Sequence, residues 1–545
     1  VLIVVILETA LESGGAEART VAIMKELRSM LKDVNQVPLL CLLAFCYPLA
    51  ANSADVPSTD RLEEEHALQD SYPGYRGVEA DYLHAGKDAL DRWQDWKFGL
   101  RLHWGVYSLL PDGHDDTPGS KHIWKCSWPL ARHDLAWQGS YHQLWRFFLP
   151  GNYDPDRWAD MMVRSGFKFF VITTKHHDGF SLYDTKAKIR RRFVYDGPRA
   201  GSIEQCDLHY SIMENAYGKD LIGPLVEAGR RRGLGVGLYF SHIDWYDADF
   251  RMDRWNPLRD KAYSPETDPQ GWARFAARHR QQILELLTNY GRIDMLSLDM
   301  HLAAEGKSIA TLDGPARPAI VETIKMARRL QPELLFRHRG IGPYGDYSTP
   351  ESHIPEGPDA FNDHQGYALT DKPWQVIHPL GDYFSWEANE KTLRPKEWIV
   401  TSLVDIVAKG GNFMVGVGPD ADGQFHPAVI KRLEYAGQWL KVNGEAIYAT
   451  RPWKYWKEGD SIRYTRGKGG KYVYAIALAW PGRQMTLSHP RAKAGSTIEM
   501  LGVKEPLEWR QDASHLTITI PKQLQKATAR PCPQAWAFRI EIQPK

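Results

Sequence analysis

The feature that most constrains the fold is an alternation running from about residue 96 to 452, in which short apolar runs take turns with longer amphipathic stretches. FGLRLHW (98–104), FKFFVITT (167–174), LGVGLYFS (234–241), DMLSLD (294–299), LLFRHR (334–339) and NFMVGVG (412–418) read as buried strands. Near-continuous apolarity suits strands covered on both faces, as in a parallel sheet. The segments before them, including DPDRWADMMVRSG, KDLIGPLVEAGRRRG, GWARFAARHRQQILELLTNYG, ARPAIVETIKMARRLQP and PKEWIVTSLVDIVAKG, read as the covering helices. The expectation is an α/β fold, a (β/α) TIM-like barrel rather than an open doubly wound sheet. No glycine-rich phosphate loop follows an early strand, which argues against nucleotide binding.

After residue 452 the pattern changes. SIRYTRG, KYVYAIAL, TIEMLG, LTITIP and AWAFRIEIQ are short, β-rich and separated by Gly, Pro or Lys turns. They predict a C-terminal antiparallel β-sandwich over 453–545 that braces the barrel, since no cluster of exposed aromatics stands out. At the other end, an apolar run at 37–50 follows Lys32 and is itself followed by Ala51, Ser53 and Ala54. That order predicts a secretory signal starting near Met30, within an N-terminal extension over 1–54, and hence a secreted or periplasmic protein. The run is short for a membrane span, and no later stretch is long and apolar enough to be one. The barrel is then expected over 55–452. In a chain of 545 residues more than one domain is expected.

Lys and Arg number 68 against 67 Asp and Glu, so nothing suggests a polyanionic partner such as nucleic acid. The 20 Trp and 25 Tyr fit a large aromatic core, or rings that stack on sugars; composition by itself favours the core. Outside the leader only Cys126, Cys206 and Cys532 remain, with neither a disulfide framework nor zinc spacing. One disulfide with a leftover thiol stays open. No metal or cofactor is expected.

A barrel's active site lies at the C-terminal ends of its strands. Those ends carry His103-Trp104-Gly105, Lys175-His176-His177-Asp178-Gly179-Phe180, Ser241-His242-Ile243-Asp244-Trp245, Asp299 and Arg337-His338-Arg339-Gly340. Singly, each has an ordinary structural role; five polar strand ends meeting at one rim point to a site.

The same residues carry a resemblance. WKFGLRLHWG (96–105) and TKHHDGF (174–180) resemble signature segments of the family 29 glycoside hydrolases, the α-L-fucosidases. So do GPYGDYSTPE (342–351), KGGN through VGPDADG (409–423) and WLKVNGEAIY (439–448), in the family's order, from about residue 80 to the C-terminus. The resemblance implies an exo-acting retaining glycosidase that removes terminal α-L-fucose from a fucosylated oligosaccharide or polysaccharide by double displacement. It places Asp299 as nucleophile. Such an enzyme needs a second carboxyl group about 5–5.5 Å away as acid/base. Glu351 matches the glutamate of some members, with Glu356 as runner-up and Glu387 third. Its pKa would have to be raised, with Tyr344 or Trp386 as candidate apolar neighbours. Arg339 falls where the family contacts the sugar. His103, His176 and His177 are expected on sugar hydroxyls, Tyr239 or Phe240 near the ring, and Trp386 on its apolar edge.

This sequence departs from the family in two places. Ser297 stands where a tryptophan usually precedes the nucleophile by two residues, and Cys126 lies where many members show a glutamate. An enlarged pocket would follow, taking sulfated fucose, α-L-galactose or α-L-glucose. Two other classes stay open: a catalytically silent glycan-binding protein, and a metal-dependent barrel hydrolase that chelators would inhibit. Oligomeric state is not legible from the sequence.

Overall fold

The computed structural model describes residues 78–79, 81–110, 126–131, 134–251, 256, 262–299, 317–357 and 373–543. The expected signal and N-terminal extension lie outside them. Seven parallel strands form one sheet: β1 (Phe98–Leu102), β2 (Phe169–Lys175), β5 (Gly235–Ser241), β6 (Met295–Asp299), β7 (Leu335–Phe336), β8 (Gln375–Pro379) and β9 (Asn412–Val417). The order is β7-β6-β5-β2-β1-β9-β8, and all seven strands are buried along their whole length. Two strands, β3 (Ile189–Phe193) and β4 (Ile203–Leu208), form a separate antiparallel hairpin in the loop after β2. Strand β8 and this hairpin were not among the runs read from the sequence.

The sheet's two edges are bridged by residues 347–351. Parallel bridges join Arg337 to Tyr347, Ser348 to Trp374 and Glu351 to Ile377. The Ser348 and Ile377 amides donate to the Pro373 and Pro350 carbonyls at 3.0 and 2.9 Å. This irregular segment fills the place of an eighth strand and makes the sheet a TIM-like ring. Gly345 permits it, because a Cβ there would lie 2.2 Å from the His338 Cα.

The helices follow from sequence in the usual way. α3 (Pro155–Arg164) starts with Asp154 accepting from the Arg157 amide at 3.0 Å and Pro155 in the first turn, and it buries Trp158, Ala159, Met161 and Met162. α5 (Pro269–Thr288) repeats the device with Asp268 and Pro269. α1 (Lys87–Trp96) packs Ala89 and Trp93 against the interior layer of the sheet, and the remaining helices are α2 (Leu135–Tyr141), α4 (Ile222–Arg231), α6 (Arg317–Leu330), α7 (Lys396–Ala408) and α8 (Pro427–Asn443) among the described residues. No helix among the described residues is long and apolar enough to cross a membrane.

The C-terminal part is antiparallel: a five-stranded sheet over β10 (Thr450–Glu458), β11 (Ile462–Gly467), β12 (Tyr472–Ala477), β14 (Ile498–Met500) and β17 (Trp536–Glu541), and a three-stranded sheet over β13 (Gln484–Leu487), β15 (Trp509–Gln511) and β16 (Leu516–Thr519). It packs on α7 and α8. Arg463 donates to Asp405 at 2.6 Å, and the Trp439 indole donates to the Ala535 carbonyl at 2.8 Å.

Candidate active site

Side chains alternate across a strand, so every second residue of each barrel strand faces the interior. That interior has an apolar layer of Phe169, Val171, Met295, Leu335, Ile377 and Met414, with Tyr239, Tyr347 and Phe384 above. One or two residues further toward the C-terminal ends the chemistry changes to Arg101, His103, Asp299, Arg337 and Arg339, all buried. The interior thus has a greasy floor and a charged, hydrogen-bonding top.

Asp299 ends β6 and is 6% exposed. The Tyr239 hydroxyl donates to its Oδ2 at 2.5 Å. Its Oδ1 lies 3.2 Å from Arg337 Nη2 and 3.3 Å from Arg339 Nη1. Burial opposes its ionisation, but the Arg337 and Arg339 guanidiniums outweigh burial and hold the carboxyl well below the usual range. It is therefore a fixed anion, with two cations and a phenol placing its oxygens.

Glu351 comes from the bridging segment, and Arg339 Nη1 donates to its Oε2 at 2.5 Å while Arg337 Nη2 stands 3.5 Å away. One nitrogen of Arg339 thus touches both carboxylates. Asp299 Oδ1 and Glu351 Oε2 can be no further apart than the two contacts laid end to end, about 5.8 Å. That bound agrees with the about 5–5.5 Å of a retaining carboxyl pair. Glu356 is exposed, and Glu387 accepts from Thr392 Oγ1 at 2.8 Å within its own loop.

The expected upward shift of Glu351 is not what the structure holds. Burial raises its pKa, but Arg339, Arg337 and Arg101 together pull it down to about 2. Neither proposed apolar neighbour offsets them. The Tyr344 hydroxyl donates to Glu79, on the other side of its turn. Trp386 is half-buried on the rim, its ring against His426 at 6.0 Å, while the adjoining Gly418 packs on the His103 carbonyl.

The three histidines meet beside Asp299. His103 and His176 have ring centroids 4.6 Å apart, and His176 and His177 3.9 Å. Each ring is oriented through its Nδ1: His103 by Arg101 Nε at 3.4 Å, His176 by Ser127 Oγ at 2.5 Å and His177 by Ser241 Oγ at 2.8 Å. Burial keeps His103 and His176 well below the usual imidazole range, so both are neutral. His103 Nε2 is buried with no hydrogen-bond partner among the described residues. Tyr239 joins the site, whereas Phe240 faces the helices, against His279. His242 also turns away, bonding His279 at 2.9 Å.

Asp244 and Asp178 are braces. Asp244 takes Arg278 at 2.5 Å and Lys175 at 3.3 Å, and Asp178 accepts from Tyr141 at 2.7 Å. Gly179, in the His176-His177-Asp178-Gly179-Phe180 run, has φ +83°, and a Cβ there would lie 2.2 Å from Asp244 Oδ1.

Ser297 is 1% exposed and lies close to Tyr347, whose ring packs on Trp93 at 4.8 Å. Cys126, Cys206 and Cys532 form no disulfide. The sequence placed Arg337 at a polar strand end without a role and gave Arg101 none; their signal is the two-residue spacing to Arg339 and His103 on strands whose alternate residues point inward.

Comparison with known proteins agrees with this fold. The family model described as Alpha-L-fucosidase matches residues 75–445, and that of the Alpha-L-fucosidase C-terminal domain matches 458–541. The chain is 26% identical to the tissue alpha-L-fucosidase of Rattus norvegicus over 485 residues, covering 83% of this chain and 90% of that protein. It is 26% identical to the Homo sapiens tissue enzyme over 486 residues, covering 83% and 89%. Alpha-L-fucosidase isoenzyme 1 from Paenibacillus thiaminolyticus superposes with TM-score 0.66 at 26% identity, over 84% of this chain and 99% of that one. With both family models matched in order along a TIM-like ring and an antiparallel C-terminal domain, the chain belongs to the α-L-fucosidase family of glycoside hydrolases.

Proposed function

We propose that this protein removes terminal α-L-fucose from glycans as an exo-acting retaining hydrolase, with Asp299 as nucleophile and Glu351 as acid/base. The observation that carries the reading is the pair of carboxylates held within about 5.8 Å by one Arg339 nitrogen. Asp299, already ionised, attacks the anomeric carbon as Glu351 gives its proton to the leaving oxygen. A water, deprotonated by Glu351, then cleaves the glycosyl ester. His103, His176 and His177 offer neutral or oriented imidazole nitrogens to the hydroxyls of one buried sugar, which supports cleavage at a chain end.

Glu351 rests as an anion, so it must gain a proton when substrate enters. A sugar that draws Arg339 toward its own oxygen removes the contact that most depresses Glu351, and the dry pocket then raises its pKa. The apolar run at 37–50 supports export to a secreted or periplasmic location, where such substrates lie.

The test is hydrolysis of 4-nitrophenyl α-L-fucoside by the wild type and by Asp299→Ala, with the α-L-galactoside alongside. Turnover of the fucoside that the variant loses supports the reading. Turnover of the galactoside alone would move the specificity to another α-L-sugar. No turnover of either by the wild type would sink it.

A further inference from the structure

One cluster joins two of the proposed sugar contacts to a cysteine that the double displacement does not use. His103, Cys126 and His176 bring one ligand atom each to within 4.8 Å of the other two, and all three residues are buried. They come from two barrel strand ends and from the loop before Trp128. Ser127 Oγ holds His176 Nδ1 at 2.5 Å and leaves its Nε2 to face the cluster, whereas His103 Nδ1 accepts from Arg101 Nε at 3.4 Å, so His103 has to move its ring proton from Nε2 to Nδ1, giving up that long contact, before Nε2 can bind a metal. The Ser127–His176 hydrogen bond at 2.5 Å ties Cys126's own neighbour to one of the two rings. Cys126 has φ +64°, a left-handed backbone that non-glycine residues seldom adopt.

An ion at the middle of such a triangle would sit at most about 2.8 Å from each donor, against about 2.0–2.1 Å for zinc–nitrogen and about 2.3 Å for zinc–sulfur bonds. Each donor therefore has to close by well under 1 Å. Two imidazoles and a thiolate favour zinc and its softer relatives over magnesium or calcium, and leave a fourth position open.

We propose that His103, Cys126 and His176 form a soft-cation site in the wall of the sugar pocket, and that zinc or cadmium bound there excludes substrate. The thiol loses its proton to solvent as the sulfur–metal bond forms, and no electron is transferred. The ion is an inhibitor, because it occupies the nitrogens that would meet sugar hydroxyls; the double displacement uses no metal. The exclusion of substrate rests on the proposed fucosidase reading; the metal site itself does not.

Binding and inhibition are read separately. The full-length protein is stripped with chelator, desalted and titrated with cadmium, following the thiolate-to-cadmium charge-transfer absorption. One equivalent should produce the band in the wild type and in Cys206→Ser and Cys532→Ser. Cys126→Ser should lose it, and should weaken zinc affinity at least about tenfold, the loss that even a supporting residue causes at metal sites. Zinc-edge X-ray absorption of the wild type needs no variant to fold, and should report one sulfur and two nitrogen ligands. A shell of oxygen and nitrogen alone, or a band unchanged in Cys126→Ser, would overturn the site. In fucoside hydrolysis zinc should raise KM and leave kcat unchanged; a bound ion that lowers only kcat would overturn the exclusion. Failure of the glycosidase reading would leave the spectroscopic results standing.

Discussion

Replacing Glu351 by Gln keeps the side chain's shape and removes its charge, which is the quantity the arginines act on. The folded carboxyl is depressed from 4.5 to about 2 by Arg339, Arg337 and Arg101, against the opposing effect of burial. The sign follows directly. A group whose folded pKa is depressed stabilises the fold above its unfolded pKa, and that stabilisation is lost as pH falls through the folded value. A gap of about 2.5 pH units at 1.36 kcal/mol each is about 3 kcal/mol, fully present above about pH 5 and gone near pH 1–2. The side chain is 23% exposed, so solvent screens only part of it. Thermal or urea unfolding of the wild type and Glu351→Gln at pH 6 and pH 3 reads the difference. The variant should be less stable by about 3 kcal/mol at pH 6, with about half of that gap left at pH 3. A gap that stays constant with pH, or a variant more stable at pH 6, would refute the claim that the arginines hold Glu351 as an anion.

Other outcomes follow from the same contacts. Tyr239→Phe removes the phenol that donates to Asp299, a charge-assisted bond of about 1.5–3 kcal/mol, so kcat/KM for an aryl fucoside should fall about 10- to 150-fold; a change under twofold would exclude the contact from the reaction. Ser127→Ala frees the His176 ring and should lower kcat/KM by up to about tenfold through KM, with the melting temperature nearly unchanged. Gly179→Ala forces a Cβ against Asp244 at positive φ and should destabilise the barrel by about 2 kcal/mol or more, seen as a lower unfolding midpoint.

Much of this site was legible because barrel geometry ties chemistry to strand ends. Asp299, His103, His176, His177, Tyr239 and Arg339 all end or follow apolar runs, and the structure gathers them on one face. The closing segment was not legible. Gly345 and Pro350 make 342–351 read as a loop, and only its bridges to Arg337, Trp374 and Ile377 reveal that it completes the ring and carries Glu351 inward. The state of Glu351 was misjudged for a related reason: its neighbours were sought among nearby aromatics, whereas the arginines that hold it arrive from β1 and the end of β7. At Ser297 the sequence shows a missing indole but not the Tyr347 that comes close to it from the bridging segment. The His103–Cys126–His176 cluster was hidden because its members lie 23 and 50 residues apart, at two strand ends and in one loop, so no metal-binding spacing marks them.

The central claim is a covalent glycosyl-enzyme on Asp299. Incubation with a 2-deoxy-2-fluoro-α-L-fucosyl fluoride, followed by intact-mass measurement and peptide mapping, tests it most directly. One fluorosugar should be added per chain, on the peptide containing Asp299, with loss of activity in step with labelling. An unlabelled, fully active protein that releases sugar of inverted anomeric configuration, or a label on any other carboxylate, would contradict the account.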